Sequence, residues 1–304
     1  MQVIYYLVKR NILVYVKNRT NVFFSFLSML IVVGLMVIFL GDMNIDNIVY
    51  ELKEYGGTRD AAADRANASI YVISWVVAGL IIVNSVSVSL AVVGMLIEDK
   101  ERNRLNSLFI APVKRVFFVL SYVLAAFLVT SVFGIFTVVI SEVVIVASGG
   151  ALLTLVQMAK MLGLVFLCAF TFSSLSFLFT LAVNSNSAFS SLSTIVCTLV
   201  GFMAAIYIPL GALPETVQKI LKFFPMLFGS SLVRKVYTES IANTMFAGVP
   251  MEAADEIQQY MGTSIVYGSS NASELLLVLL MIGSGVLFLA IATVIMKKKH
   301  LTDR

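Results

Sequence analysis

Residues 70–97 read IYVISWVVAGLIIVNSVSVSLAVVGMLI, without a single charged side chain. A helix rises 1.5 Å per residue and a bilayer's hydrocarbon core is about 30 Å thick, so roughly 20 apolar residues cross it. This stretch is long enough, and Tyr71 and Trp75 near its start are rings of the kind that settle at a membrane interface. Working outward, the same pattern recurs over residues 22–40, 116–146 (interrupted only by Glu142), 161–183, 188–210 and 275–296. The spacing predicts an all-α integral membrane protein of six transmembrane helices, folded as one domain over residues 1–304.

Composition agrees. Hydrophobic residues make up 60% of the 304-residue chain and charged residues 12%, with a mean hydropathy of +0.98, whereas soluble domains carry roughly 45–50% apolar and about 25% charged residues. Cys168 and Cys197 both fall in apolar stretches, so they read as small core residues and not as a disulfide. The basic start, with Lys9, Arg10, Lys17 and Arg19 before the first span, lacks a small-residue cleavage site, and that span is expected to be retained.

Orientation follows from Lys and Arg. The N-terminal segment, the 98–115 connection and the tail hold most of the 21 basic residues, while acids crowd residues 41–69 and 211–274. Retained basic residues mark the cytoplasm, which puts both termini inside a cell membrane and makes 211–274 an exterior loop. In residues 1–19, Tyr5, Val8, Ile12, Tyr15 and Val16 alternate with basic residues as in a helix lying in the headgroup layer. After Pro214, the spacing of Val217, Ile220, Leu221 and Phe224 predicts an amphipathic helix, and 238–272 reads as a small mixed loop.

The 98–115 connection is EDKERNRLNSLFIAPVKR. A charged run leads to Leu105, Leu108 and Phe109 on one helical face, Pro112 ends the helix, and Lys114 and Arg115 precede the next span. On physical grounds alone this is either a docking helix or an inner loop that has collected charge.

These residues resemble the corresponding loop of the type 2 permeases of ATP-binding-cassette (ABC) exporters. Leu105, Leu108, Phe109, Ala111, Pro112, Val113 and Arg115 match its order, with Asn103 and Arg104 standing where that family has Gly and Thr. Residues 208–214 (IPLGALP) and 222–226 (KFFPM) look like that family's Pro-containing exit and its Asn-Pro-Leu segment, with Phe224 in place of the Asn. The resemblance covers essentially the whole chain. It implies a cytoplasmic coupling helix over residues 100–109, an extracytoplasmic re-entrant helix before the last span, and a docking set of Glu101, Arg102, Leu105, Leu108, Phe109, Pro112 and Arg115 for a separate ABC ATPase. It further implies a second permease copy or a paralogue as partner, within membrane lipid, and a pathway bordered by the second and fifth spans.

No Gly-x-x-x-x-Gly-Lys-Ser/Thr loop occurs, so no phosphate cradle is expected, and ATP and Mg would be bound by the partner ATPase with no cofactor in this chain. The only histidine, His300, sits in the basic tail, which disfavours a His-based enzyme or metal site. The basic balance fits anionic lipid and not nucleic acid. Intramembrane polar residues are costly and mark function or packing; Glu142 is the one ionisable group within a span, and the resemblance, which sets the second and fifth spans beside the path, implies Asn84 and Ser193 as the further pathway candidates. The expected function is export of an amphipathic drug, peptide or lipid-like substrate. The alternatives are an ion- or proton-coupled carrier, a lipid translocase independent of ATP, and an immunity or sensing protein that binds without transport.

Overall fold

The computed structural model describes residues 2–20, 22–23, 26–27, 30–31, 34, 41–55, 60–102, 104, 115–268 and 270–302. Helix α1 spans Gln2–Lys17, α2 Gly41–Tyr55, α3 Ala61–Glu101, α4 Arg115–Ala147, α5 Leu155–Thr180 and α6 Asn186–Met203. A 3-10 turn at Leu210–Ala212 leads to α7 Glu215–Leu221, α8 Pro225–Met245, α9 Met251–Tyr260 and α10 Glu274–Thr302. Between α9 and α10, Val266–Tyr267 (β1) pairs antiparallel with Ser270–Asn271 (β2), a small departure from the all-α expectation.

Among the described residues five helices are long and apolar enough to cross a membrane: α3, α4, α5, α6 and α10. The expected first span, 22–40, lies mostly outside the described residues. Its Phe26 stacks on Phe133 of α4 with ring centroids 4.5 Å apart and meets Phe136 edge-on.

Helix α3 is the axis of the fold and packs against α4, α8, α5, α2 and α6. At 41 residues it is about 60 Å long, twice the hydrocarbon thickness. It starts at Ala61 and not at 70 because Asp60 caps it, its carboxylate accepting the Ala62 N–H at 2.9 Å. Lipid gives helices no hydrophobic reason to associate, so close packing and hydroxyl bonds must hold them. Ser89 of α3 lies 3.0 Å from the Thr130 hydroxyl of α4 and 3.2 Å from the Ser173 hydroxyl of α5. Thr171 of α5 donates to the Met281 carbonyl of α10 at 3.1 Å. Gly79 lets the chain after α6 press on α3, since a Cβ there would stand 2.8 Å from Ile206.

Several connections expected to be irregular are helical. Residues 41–55 form α2 because Ile45, Ile48, Val49 and Leu52 make a buried i, i+3, i+4, i+7 stripe against α3. The fifth span's helix ends at Met203, not near 210, where Ala205 takes the left-handed conformation, φ 51°. The amphipathic helix after Pro214 is only α7. Phe224 breaks out of helical geometry and Pro225 starts the longer α8, since a proline at the first helical position loses no hydrogen bond. The mixed loop of 238–272 is the end of α8, then α9 and the hairpin. On α1, the buried residues are Asn11 and Tyr15, whereas Tyr5 and Val16 face outward.

Candidate functional site

The charged C-terminal end of α3 is the best-organised polar cluster among the described residues. Asp99 is 2% exposed, and its Oδ2 accepts from Arg10 Nη1 of α1 at 2.6 Å and from the Tyr122 hydroxyl of α4 at 2.8 Å. Arg104 adds a second cation, 3.6 Å from Oδ1. Burial alone would lower the Arg10 pKa, but the Asp99 hydrogen bond and the nearby charge outweigh it and hold the guanidinium above its usual value. Two consecutive helices are thereby tied to α1 through one carboxylate.

The next residues reach the α5–α6 connection. Lys100 Nζ donates to Asn184 at 2.8 Å, and Glu101 accepts the backbone N–H of Asn186 at 2.6 Å as well as its side-chain amide. A carboxylate at the first turn of α6 complements the helix dipole. Glu98 and Arg102 pair at 2.9 Å one turn apart. Of the expected docking set, Glu101 thus caps α6 and Arg102 pairs within α3, while Leu105, Leu108, Phe109 and Pro112 lie outside the described residues and Arg115 opens α4.

The pathway candidates are not brought together. Asn84 is buried and donates to the Thr137 hydroxyl of α4 at 2.5 Å, a tie between helices. Ser193 lies half-buried on α6, its hydroxyl without a hydrogen-bond partner. Glu142 is 7% exposed near the end of α4, where one oxygen accepts the Leu153 N–H at 3.1 Å.

Helix α6 differs from its neighbours in what it exposes. Ser187, Ser191, Thr194 and Thr198 are all exposed within this chain, and the last three donate back to the carbonyl four residues earlier. Their spacing puts them on one face. By contrast the exposed residues along the body of α10, among them Leu275, Leu279, Val286, Leu287 and Val294, are apolar, as suits lipid contact.

At the other end of α3, Trp75 and Arg234 form a junction that sequence reading missed. The Arg234 guanidinium, fully buried, sits 4.3 Å over the Trp75 ring and donates to the Ala205 carbonyl at 2.7 Å. Trp75 Nε1 donates to the Met261 carbonyl at 2.6 Å, and Ser231 to that of Thr263 at 2.7 Å. This anchors α8 and the 261–263 turn on α3. The signal available in sequence was Arg234, next to Lys235 and between the apolar residues Leu232, Val233 and Val236, but nothing in the linear pattern names its partner.

A bundle of apolar helices, crossed internally by hydroxyl contacts and tethered at one end by a buried ionic cluster, defines a polytopic helical membrane protein. Its residues 42–294 match the family model described as ABC-2 family transporter protein. The chain therefore belongs to the ABC-2 transporter family, whose members are membrane transport subunits that generally have no ATPase of their own. Comparison with curated proteins returns no match.

Proposed function

We propose that this chain is the permease subunit of an ATP-driven exporter, moving an amphipathic substrate out of the cytoplasm across the cell membrane, with ATP and Mg bound by a separate cytoplasmic ATPase. The supporting observation is the Asp99 cluster: the root of the 100–115 connection is fastened at once to α1, α4 and, through Glu101, to α6. A force applied to the connection would reach all of these elements without bending α3. The residues offered to the ATPase are Leu105, Leu108 and Phe109, flanked by Arg102, Pro112 and Arg115. A second permease copy or paralogue would cover the hydroxyl-bearing face of α6, where small residues let another helix approach closely.

The test is purification in mild detergent from the native host, wild type beside a Leu105→Glu, Phe109→Glu double variant. The expected result is an ATPase subunit that accompanies the wild type and is lost from the variant while membrane insertion persists. A wild type that brings no ATPase would overturn the reading and favour a carrier that works without one.

A further inference from the structure

Helix α10 turns apolar side chains outward, yet one part of that face is hollow. Leu276, Leu279, Gly283 and Leu287 floor a groove of about 440 Å³, and Lys222, Phe223 and Tyr267 stand along its other wall. Gly283 makes it deep, since a Cβ there would meet none of the described residues within 4 Å. A glycine inside a helix is less stable than an alanine, and packing within the chain gives no reason for this one. The floor follows a single helical stripe, i, i+3, i+7 and i+11. It rises about 17 Å, roughly half the hydrocarbon core, which is the depth of one leaflet.

The groove carries one charge, and that charge is held in place. Lys222 Nζ donates to the Val266 carbonyl at 2.9 Å, while the Tyr267 hydroxyl donates to the Lys222 carbonyl at 2.6 Å. Strand β1 thus grips the lysine at its backbone and at its head. Val266 faces Asn271 across the hairpin, just before α10 begins at Glu274, and this sets the ammonium at the Leu276 end of the stripe. An ammonium has three donors, so two remain after Val266. Glu215 is taken by Lys219 and Glu274 by Lys235, and no carboxylate pairs with Lys222 among the described residues. Ile220 and Phe223 beside it are exposed apolar side chains, as in a segment set at a membrane interface.

We propose that this groove is a binding site for one phospholipid, its acyl chain laid along α10 past Gly283 and its phosphate bonded to Lys222. Both ends select this occupant. A fixed ammonium with unused donors suits a phosphate, and basic pockets between membrane helices hold lipid head groups in this way. Ser284, the hydroxyl on the floor, donates back to the Met281 carbonyl at 2.9 Å, so the groove below Lys222 suits a hydrocarbon tail. No ATPase enters the inference, which stands or falls apart from the exporter reading.

The test is native mass spectrometry of the full chain released from mild detergent. It is titrated with dioleoylphosphatidylglycerol or with dioleoylglycerol, which has the same chains and no phosphate. The wild type is expected to retain one phosphatidylglycerol more at saturation than Gly283→Phe, whose ring fills the groove. It should bind that lipid about tenfold more tightly than dioleoylglycerol, the worth of one charge-assisted hydrogen bond. Lys222→Gln should erase this preference by weakening phosphatidylglycerol alone. The proposal is overturned if Gly283→Phe retains as many phosphatidylglycerols as the wild type, or if Lys222→Gln keeps the preference. Gly283→Phe that loses self-association while its lipid count is unchanged would instead put a second copy of the chain in the groove. Should Lys222→Gln fail to insert, the lipid count of Gly283→Phe decides by itself.

Discussion

Helices α3 and α6 carry similar runs of small polar residues, Asn84, Ser85, Ser87 and Ser89 on one, and Ser190, Ser191, Ser193 and Thr194 on the other, yet the fold treats them oppositely. In its most apolar stretch α3 is 83% buried and α6 only 22%. On α3, Asn84 and Ser89 reach across to α4 and α5, so polarity there is packing. On α6, Ser191, Thr194 and Thr198 bond only to their own helix and still face outward. Helix α10 supplies the control, because it is as little buried as α6 but exposes apolar side chains. Low burial alone therefore does not mean lipid contact; the exposed chemistry separates a lipid-facing helix from one that awaits protein or a polar path.

The comparison is most severely tested at Trp75. Trp75→Ala removes the ring beneath Arg234 and the donor to Met261, and should cost about 3–5 kcal/mol of unfolding free energy in nanodiscs. A loss under about 1 kcal/mol would show that α3 is not the clamp described. Asp99→Asn comes next. It takes the charge from the Arg10 and Arg104 contacts and should cost about 1.5–3 kcal/mol, with hydrogen exchange of the Gln2–Lys17 amides accelerated and those of α5 unchanged. Unaltered protection of α1 would contradict its tethering.

Thr137→Val leaves the Asn84 amide without its hydroxyl acceptor and should cost about 0.6–1.7 kcal/mol, the range of hydrogen bonds between membrane helices. A larger kinetic defect in transport than in stability would move Asn84 from packing to pathway. Smallest of all, Thr194→Val should alter the stability of the single chain by no more than about 0.5 kcal/mol. Its effect is expected instead in weaker association between copies, read by mass photometry of solubilised protein. A chain that is destabilised but associates normally would place this face inside the protomer.

Much of the fold was legible because apolar length and charge placement are properties of contiguous sequence. The long apolar runs overlap α3, α4, α5, α6 and α10, with ends that differ by up to nine residues. Helix α2 carried its stripe in plain view, yet its six neighbouring acids read as loop, since net polarity masks a short amphipathic period. The 98–115 segment begins in the Asp99 cluster. What it could not disclose is that Asp99 is buried against Arg10, 89 residues away, or that Glu101 caps a helix 85 residues on. Such pairings are set by helix packing, which leaves no local period.

The opposition between a fixed α3 and an outward-facing α6 is tested most directly by spin labels at Thr194→Cys in a Cys168→Ala, Cys197→Ala background, with double electron–electron resonance recorded on the reconstituted transporter with and without ATP. The account predicts an intermolecular distance between α6 helices of two permeases that shifts when ATP is added, while a Ser74→Cys to Ser240→Cys pair within one chain stays constant. An absent intermolecular signal, or a change confined to the pair within the chain, would contradict it.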